Sequence, residues 1–264
     1  MIPLPEALAP IEAFVRERLA VATAPLVVGL CGAQGSGKST IAALLAERIP
    51  GTVVLSLDDL YLPLAERERL ADAVHPLLKT RGVPGTHDVA LGEAVLADLR
   101  AGQPVRLPRF DKATDDRAPE STWPSVERAR VVVFEGWCVG ARAQVDTALE
   151  TPVNRLEDDE DPDEIWRRYA NGALQGPYRG LFNLDALILL AAPDFGAVYR
   201  WRTQQEHALA AEIAAGRRTG RAMSDEEVGR FIQFYQRLTV HILREMPDRA
   251  DLVVRLDADR GIVA

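Results

Sequence analysis

Cysteine is scarce in this chain of 264 residues, which has only Cys31 and Cys138, far apart and in no metal-binding or redox spacing. That excludes a disulfide framework and a zinc cluster, and both thiols, placed at the ends of apolar runs, are expected to be reduced and partly buried. There is no Asn-x-Ser/Thr site. Residues 1–24 lack a basic start followed by an apolar run, so no signal peptide is expected. The longest apolar run, residues 186–193, is too short to span a bilayer. Basic residues number 31 against 39 acidic ones, a net charge of −8, which disfavours DNA, RNA and anionic membranes as partners. A local basic pocket for a small phosphate is still compatible with that balance. The expectation is a cytoplasmic protein.

At 47% hydrophobic and 27% charged residues, the chain has the composition of a globular protein, which excludes disorder and collagen. Residues 5–20 carry Leu8, Ile11, Phe14, Val15 and Leu19 at helical spacing. Short apolar runs recur at residues 26–31, 52–57, 131–134, 186–190 and 252–256. Strands apolar at nearly every position are buried on both faces, the mark of a parallel sheet. Helical patterns lie between them. Ile41, Leu44, Leu45 and Ile49 share a face that Pro50-Gly51 ends, and Asp88 can cap a helix carrying Leu91, Val95 and Leu99. Ser224 and Glu227 form a capping box ahead of Val228, Phe231, Ile232, Tyr235, Leu238 and Ile242. The alternation predicts a three-layer, doubly wound α/β fold. With no repeat and no low-complexity linker, one domain over residues 1–264 is expected, with lid and helical elements near residues 194–246. Two stretches break the pattern. Residues 101–124, with four prolines, read as a loop or small hairpin above the sheet. The acidic run 157–164 reads as a solvated loop leading into a helix, whose N-terminus favours negative charge. A calcium loop fails there, because Glu164 stands where the sharp turn requires glycine.

Gly32-Ala33-Gln34-Gly35-Ser36-Gly37-Lys38-Ser39, followed by Thr40, fits G-x-x-x-x-G-K-[ST] between a strand and a helix. Glycines let the backbone wrap a phosphate chain with its N–H groups inward, and the helix N-terminus adds positive charge. Lys38 then serves the β- and γ-phosphates and the Ser39 hydroxyl a Mg²⁺ ion. The four defining positions match by chance in roughly one chain in a hundred of this length, so the motif outweighs a plain glycine turn. No third glycine completes a dinucleotide fingerprint. The guanine motif Asn-Lys-x-Asp and the Asp-x-x-Gly of GTPases are both missing. Glu135 instead ends a buried strand, placed to hold Mg²⁺ through water. Asp58, in Ser56-Leu57-Asp58-Asp59-Leu60-Tyr61, is expected to emerge beside the phosphate loop on the neighbouring strand and to accept the proton of an attacking hydroxyl. Tyr61 either lines the acceptor pocket or packs. Two basic clusters are lid candidates: Arg200 with Arg202, and Arg217, Arg218 and Arg221.

The order of these motifs resembles the phosphoribulokinase/uridine kinase/pantothenate kinase group of P-loop kinases, most closely its D-glycerate 3-kinase branch. The strings that carry the resemblance are Gly32 to Thr40, Ser56 to Tyr61, Arg81-Gly-Val-Pro-Gly-Thr-His-Asp88, Pro108-Arg-Phe-Asp-Lys112 with Arg117, Phe134-Glu-Gly-Trp137, Val198-Tyr-Arg-Trp-Arg202 and Ala222-Met-Ser-Asp-Glu-Glu227. The resemblance implies a five-stranded parallel core and ATP-dependent phosphorylation of a small-molecule hydroxyl. It places Asp58 as the base, Ser39, Asp58 and Glu135 on the magnesium side, and Arg200 and Arg202 in the lid. His87, Asp88, Asp111 and Arg117 fall near the acceptor. Leu60 stands where relatives often have Phe, and the acidic insert lies outside the pattern. A D-glycerate carboxylate would need a fixed cation, for which Arg81, Arg109, Lys112, Arg117 and Arg142 are candidates. Pantothenate, a nucleoside or a sugar phosphate remain alternative acceptors, and a nucleotide-dependent switch or chaperone an alternative class.

Overall fold

The computed structural model describes residues 5–218 and 220–263. In chain order its elements are α1 (Leu8–Val21), β1 (Leu26–Gly32), α2 (Lys38–Arg48), β2 (Thr52–Ser56), α3 (Leu64–Ala73) and α4 (Val89–Arg100). Four short strands follow: β3 (Val105–Arg106), β4 (Phe110–Asp111), β5 (Asp116–Arg117) and β6 (Ser125–Val126). The remainder is β7 (Val131–Gly136), α5 (Arg155–Glu160), α6 (Ile165–Gln175), α7 (Tyr178–Leu181), β8 (Ala186–Ala191), α8 (Phe195–Ala214), α9 (Asp225–Glu245) and β9 (Leu252–Arg255).

Five of the strands form one parallel sheet in the order β2-β7-β1-β8-β9. The three inner strands are buried at every residue, which is why they read as unbroken apolar runs. The chain leaves β1 towards β2 and leaves β8 towards β9, on opposite sides. A crevice therefore opens at the carboxyl ends of the strands around β1. Ile11 and Val15 of α1, with Ile41 and Leu45 of α2, bury one helical layer against the sheet. The Asp88 cap forms, its side chain accepting from the Leu91 N–H, and so does the Ser224/Glu227 capping box. Cys31 and Cys138 are free and fully buried rather than partly so, and burial pushes the Cys31 thiol up to about 12.

Residues 105–126 form two separate antiparallel ribbons, β3 with β6 and β4 with β5, so the first ends two residues beyond the expected stretch. The second is pinned over the crevice by Asp59, which accepts from the Phe110 N–H at 3.0 Å and from Arg109 at 3.1 Å. Buried Arg67 closes the same corner by donating to the carbonyls of Leu62, Lys79 and Asp115.

The acidic run is solvated only in part: Asp158, Asp159, Glu160 and Asp163 are exposed. Its first residues are helical, Glu157 is fully buried against Arg237 of α9, and Asp161 is buried against Arg167 of α6. Sequence reading failed there because the Glu157 counterion is 80 residues away on α9 and because the burial of Asp161 against Arg167, six residues on, is set by packing rather than by local composition.

Candidate active site

The phosphate loop takes its shape from its glycines. Gly35 and Gly37 have φ values of +78° and +87°, a region that L-residues with a Cβ rarely adopt. A Cβ on Gly35 would stand 2.5 Å from Cβ of Trp201, so α8 presses directly on the loop. Ser36 N–H donates to the Ala33 carbonyl at 3.1 Å, which closes the turn inside the loop. Helix α2 begins at Lys38, so its unpaired first N–H groups head the crevice.

On the side of β2, the strand that pairs with β1 is β7 and not β2 itself. Glu135, at the end of β7, is therefore the first carboxylate next to the loop, paired in register with Ser56 of β2 and Leu30 of β1. Its Oε1 accepts from the Ser39 hydroxyl at 3.0 Å and the Ser56 hydroxyl at 2.8 Å. Its Oε2 is buried with no protein partner among the described residues. An unsatisfied buried carboxylate oxygen is costly. Oxygen donors from Ser39 and Glu135 with one valence left open suit Mg²⁺, which takes few protein oxygens and keeps water and phosphate for the rest. No group of three or more His, Cys, Asp or Glu side chains among the described residues could hold a metal unaided.

Asp58 lies one strand further out, on the 3₁₀ turn Leu57–Leu60 that follows β2. That turn carries it back over β7. Tyr61 hydroxyl donates to Oδ1 at 2.9 Å and Lys112 Nζ to Oδ2 at 2.5 Å. Burial alone would raise this carboxyl. The charges of Lys112 and Lys38 outweigh it and hold Asp58 well below the usual carboxylate range. Asp58 is an ionised acceptor at neutral pH.

Lys38, Ser39, Asp58, Tyr61, Arg81, Lys112 and Arg202 line one cavity of about 260 Å³ together with Gln34 and Gly35 of the loop. Trp137, Gln205, Phe231 and Tyr235 complete its wall. Four cations meet one carboxylate there, so an acidic chain holds a locally positive pocket. Sequence reading did not assign Gln205, Phe231 and Tyr235 to the site, because Phe231 and Tyr235 belong to the apolar stripe of α9. Gly82 betrays the packing: at φ +142°, its Cβ would stand 2.4 Å from the Tyr235 hydroxyl.

The other candidate acceptor residues sit outside that cavity. His87 is buried behind Tyr61, stacked on it at 4.6 Å, with Nδ1 2.6 Å from the Tyr178 hydroxyl. Asp88 and Arg117 pair with each other at 2.8 Å while Asp88 caps α4. Asp111 faces solvent and accepts from the Ala113 N–H in its own turn. Arg109 is tied to Asp59. Arg142 lines a different cavity, with Leu187 and Asp251 at the strand N-termini. Arg81 lines the site and also pairs with Asp115.

The two arginines of the first basic cluster part company. Arg202 lines the cavity, pairs with buried Glu206 and lies 5.3 Å over Phe231, whereas Arg200 is exposed. In the second cluster Arg218 and Arg221 are exposed and paired with Glu212 and Glu227, and none of its arginines lines the cavity. Two positions apart on a helix, Arg200 and Arg202 point to nearly opposite sides, and which side faces the cavity is set by how α8 packs.

A glycine cradle at a helix N-terminus, a strand-end carboxylate and a second acid above them define a P-loop phosphotransferase site. Residues 27–154 match the sequence model of the phosphoribulokinase/uridine kinase family. A fission yeast protein, the uncharacterized kinase mug58 of Schizosaccharomyces pombe, is 35% identical over 248 residues, covering 86% of this chain and 84% of that one. The chain belongs to the phosphoribulokinase/uridine kinase family of P-loop kinases, whose members use ATP. It is also 33% identical over 233 residues to the chloroplastic D-glycerate 3-kinase of Arabidopsis thaliana, an alignment covering 80% of this chain and 46% of that protein. The solved structure of D-glycerate 3-kinase from Cryptococcus neoformans overlays on it with a TM-score of 0.81 at 26% identity, covering 98% of each chain.

Proposed function

We propose that this kinase transfers the γ-phosphate of ATP to D-glycerate, giving 3-phosphoglycerate. The observation that carries the reading is the shared cavity: phosphate-loop Lys38 and Ser39, the carboxylate of Asp58 and two cations, Arg81 and Lys112, all face the same 260 Å³. That space lets the end of a triphosphate meet a small hydroxy acid. Arg81 and Lys112 offer the acceptor's carboxylate charge-assisted donors. The hydroxyl to be phosphorylated points to Asp58. Its oxygen bonds to the γ-phosphorus as the bond to the β-phosphate oxygen breaks, and its proton passes to Asp58. Lys38 and Arg202 neutralise the charge on the transferred group. Ser39 and Glu135, with Asp58 nearby, would hold Mg²⁺, which would supply positive charge to offset that of the transferring phosphate. The named relatives support the acceptor's identity, and the cation pair supports its class. His87, Asp88 and Arg117 act in this reading by shaping the wall behind Tyr61 rather than by touching the acceptor, and solvent-facing Asp111 holds the turn that carries Lys112.

ADP release in the presence of magnesium and ATP, measured against D-glycerate, glycerol, pantothenate, uridine and fructose, tests the assignment. A rate that rises with D-glycerate and hardly with glycerol is expected. A rise with a nucleoside or pantothenate instead, or slow hydrolysis that no small acceptor changes, would overturn it.

A further inference from the structure

The phosphate loop is held from outside by the far end of the chain. A tight turn follows β9. Asp257 Oδ1 accepts from the N–H groups of Asp259 and Gly261, both at 2.8 Å, and Asp257 N–H donates to the Gly261 carbonyl at 2.9 Å. Trp201 of α8 anchors the same turn, its Nε1 donating to the Ala258 carbonyl at 2.7 Å. The turn sets Arg260 at φ +71°, a left-handed conformation uncommon for arginine. From there its Nε donates to the Gly35 carbonyl at 2.6 Å. The guanidinium also donates to Gln204 Oε1 at 3.1 Å and lies 5.1 Å over the Trp201 ring.

We propose that Arg260 is a positioning residue that preorganises the phosphate loop for nucleotide. The peptide between Gly35 and Ser36 is held at both ends: its carbonyl by Arg260, its N–H by the Ala33 carbonyl. With Trp201 packed against Gly35 on the outer side, that peptide plane cannot turn over. A cradle for phosphate is a set of peptide orientations, and reversing this plane would set the Gly35 carbonyl against the Ala33 carbonyl and open the turn that aims the neighbouring N–H groups at phosphate. Arg260 therefore settles the ordering of the loop before nucleotide arrives, so binding energy is not spent on it. Local charge or adjacency cannot explain this arrangement, since Arg260 and Gly35 are 225 residues apart in the chain.

The inference rests on the reading of residues 32–40 as the nucleotide cradle, so the wild type and the Lys38→Ala variant are measured beside it. Calorimetric titration with ADP is expected to give Arg260→Ala a Kd about 5- to 30-fold higher than wild type, the factor that corresponds to ordering one residue. Arg260→Lys, which can still reach the carbonyl, recovers part of the loss. Hydrogen exchange without nucleotide speeds up across residues 32–37 in Arg260→Ala, stays unchanged across β8, and returns to the wild-type rate when ADP saturates. A Kd within twofold of wild type, or faster exchange confined to residues 256–263, overturns the proposal. If Arg260→Ala does not melt cooperatively, Gln204→Ala decides instead: it leaves the arginine in place but unsteadied, and should raise Kd by a few-fold, with no change counting against us. Wild-type protein that takes up no ADP removes the cradle reading and this one together. Binding by wild type and Arg260→Ala alike, with none by Lys38→Ala, removes this one alone.

Discussion

Replacing Glu157 with alanine isolates the interaction that local sequence conceals. Glu157 is fully buried and Arg237 nearly so. Arg237 Nε donates to Oε1 at 2.8 Å and its second nitrogen to Oε2 at 2.6 Å, a two-pronged pair. The same guanidinium donates to the carbonyls of Ala148 and Thr151, both at 2.6 Å, and Oε2 also accepts from the Val153 N–H. Glu157→Ala leaves that cation in place, still bonded to two carbonyls but with no counter-charge. Removing one partner of a buried pair costs about 3–5 kcal/mol. For a chain of this size each kcal/mol moves the melting temperature by roughly 2–4 °C, so Tm should fall by about 6–20 °C. Scanning calorimetry without nucleotide reads it. Turnover per folded molecule at 25 °C should stay within about twofold, since the pair lies outside the cavity that holds Lys38 and Asp58. Glu157→Met with Arg237→Met should recover most of the loss, because apolar groups of similar volume leave no charge to compensate. A single variant that melts within about 1 °C of wild type would refute the argument and restore the picture of a solvated acidic loop.

Further outcomes follow from the site. Lys38→Ala should lose at least about 100-fold in turnover while its Tm without nucleotide is unchanged, and full activity would contradict its role at the phosphates. Asp58→Asn should bind ADP nearly as wild type does and lose about 10²- to 10⁴-fold in kcat; a wild-type rate would remove Asp58 as proton acceptor. His87 is pushed down to about 3 by burial, from an ordinary value near 6.5. Between those values the unfolded chain binds a proton that the folded chain refuses, so stability falls as pH drops below about 6.5. His87 alone should cost about 2 kcal/mol between pH 6.5 and 5, and urea unfolding of His87→Gln should show a correspondingly flatter dependence over that range. Parallel slopes in the two proteins would exclude His87 as the cause.

Legibility differed between elements for identifiable reasons. The inner strands were readable because burial on both faces removes any need for polar residues, and the runs at 26–31, 131–134 and 186–190 match β1, β7 and β8. The caps at Asp88 and Ser224 were readable because their bonds close within three residues. The phosphate loop was readable because a positive φ and close backbone approach demand glycine in a fixed spacing. Strand order was not: nothing in the run at 131–134 says that it inserts between β1 and β2, which makes Glu135 rather than Asp58 the loop's immediate neighbour. Nor could the pairing of Asp88 with Arg117 be told from a shared acceptor pocket, since both readings need an acid and a base in the same region. Tyr235 was hidden by its own periodicity, which served the core and the cavity wall at once.

Taken alone, the sequence determined the alternation of strand and helix and the shape of the turn around a phosphate chain, because each depends on neighbours within a few positions, and the acidic character of the whole, because that is a sum over composition. Packing decided which charges meet. Arg260 reaches Gly35, Arg237 buries with Glu157 and Lys112 settles on Asp58 across separations from 54 to 225 residues. Coulomb attraction and desolvation depend on distance through space, and only the folded chain sets that distance.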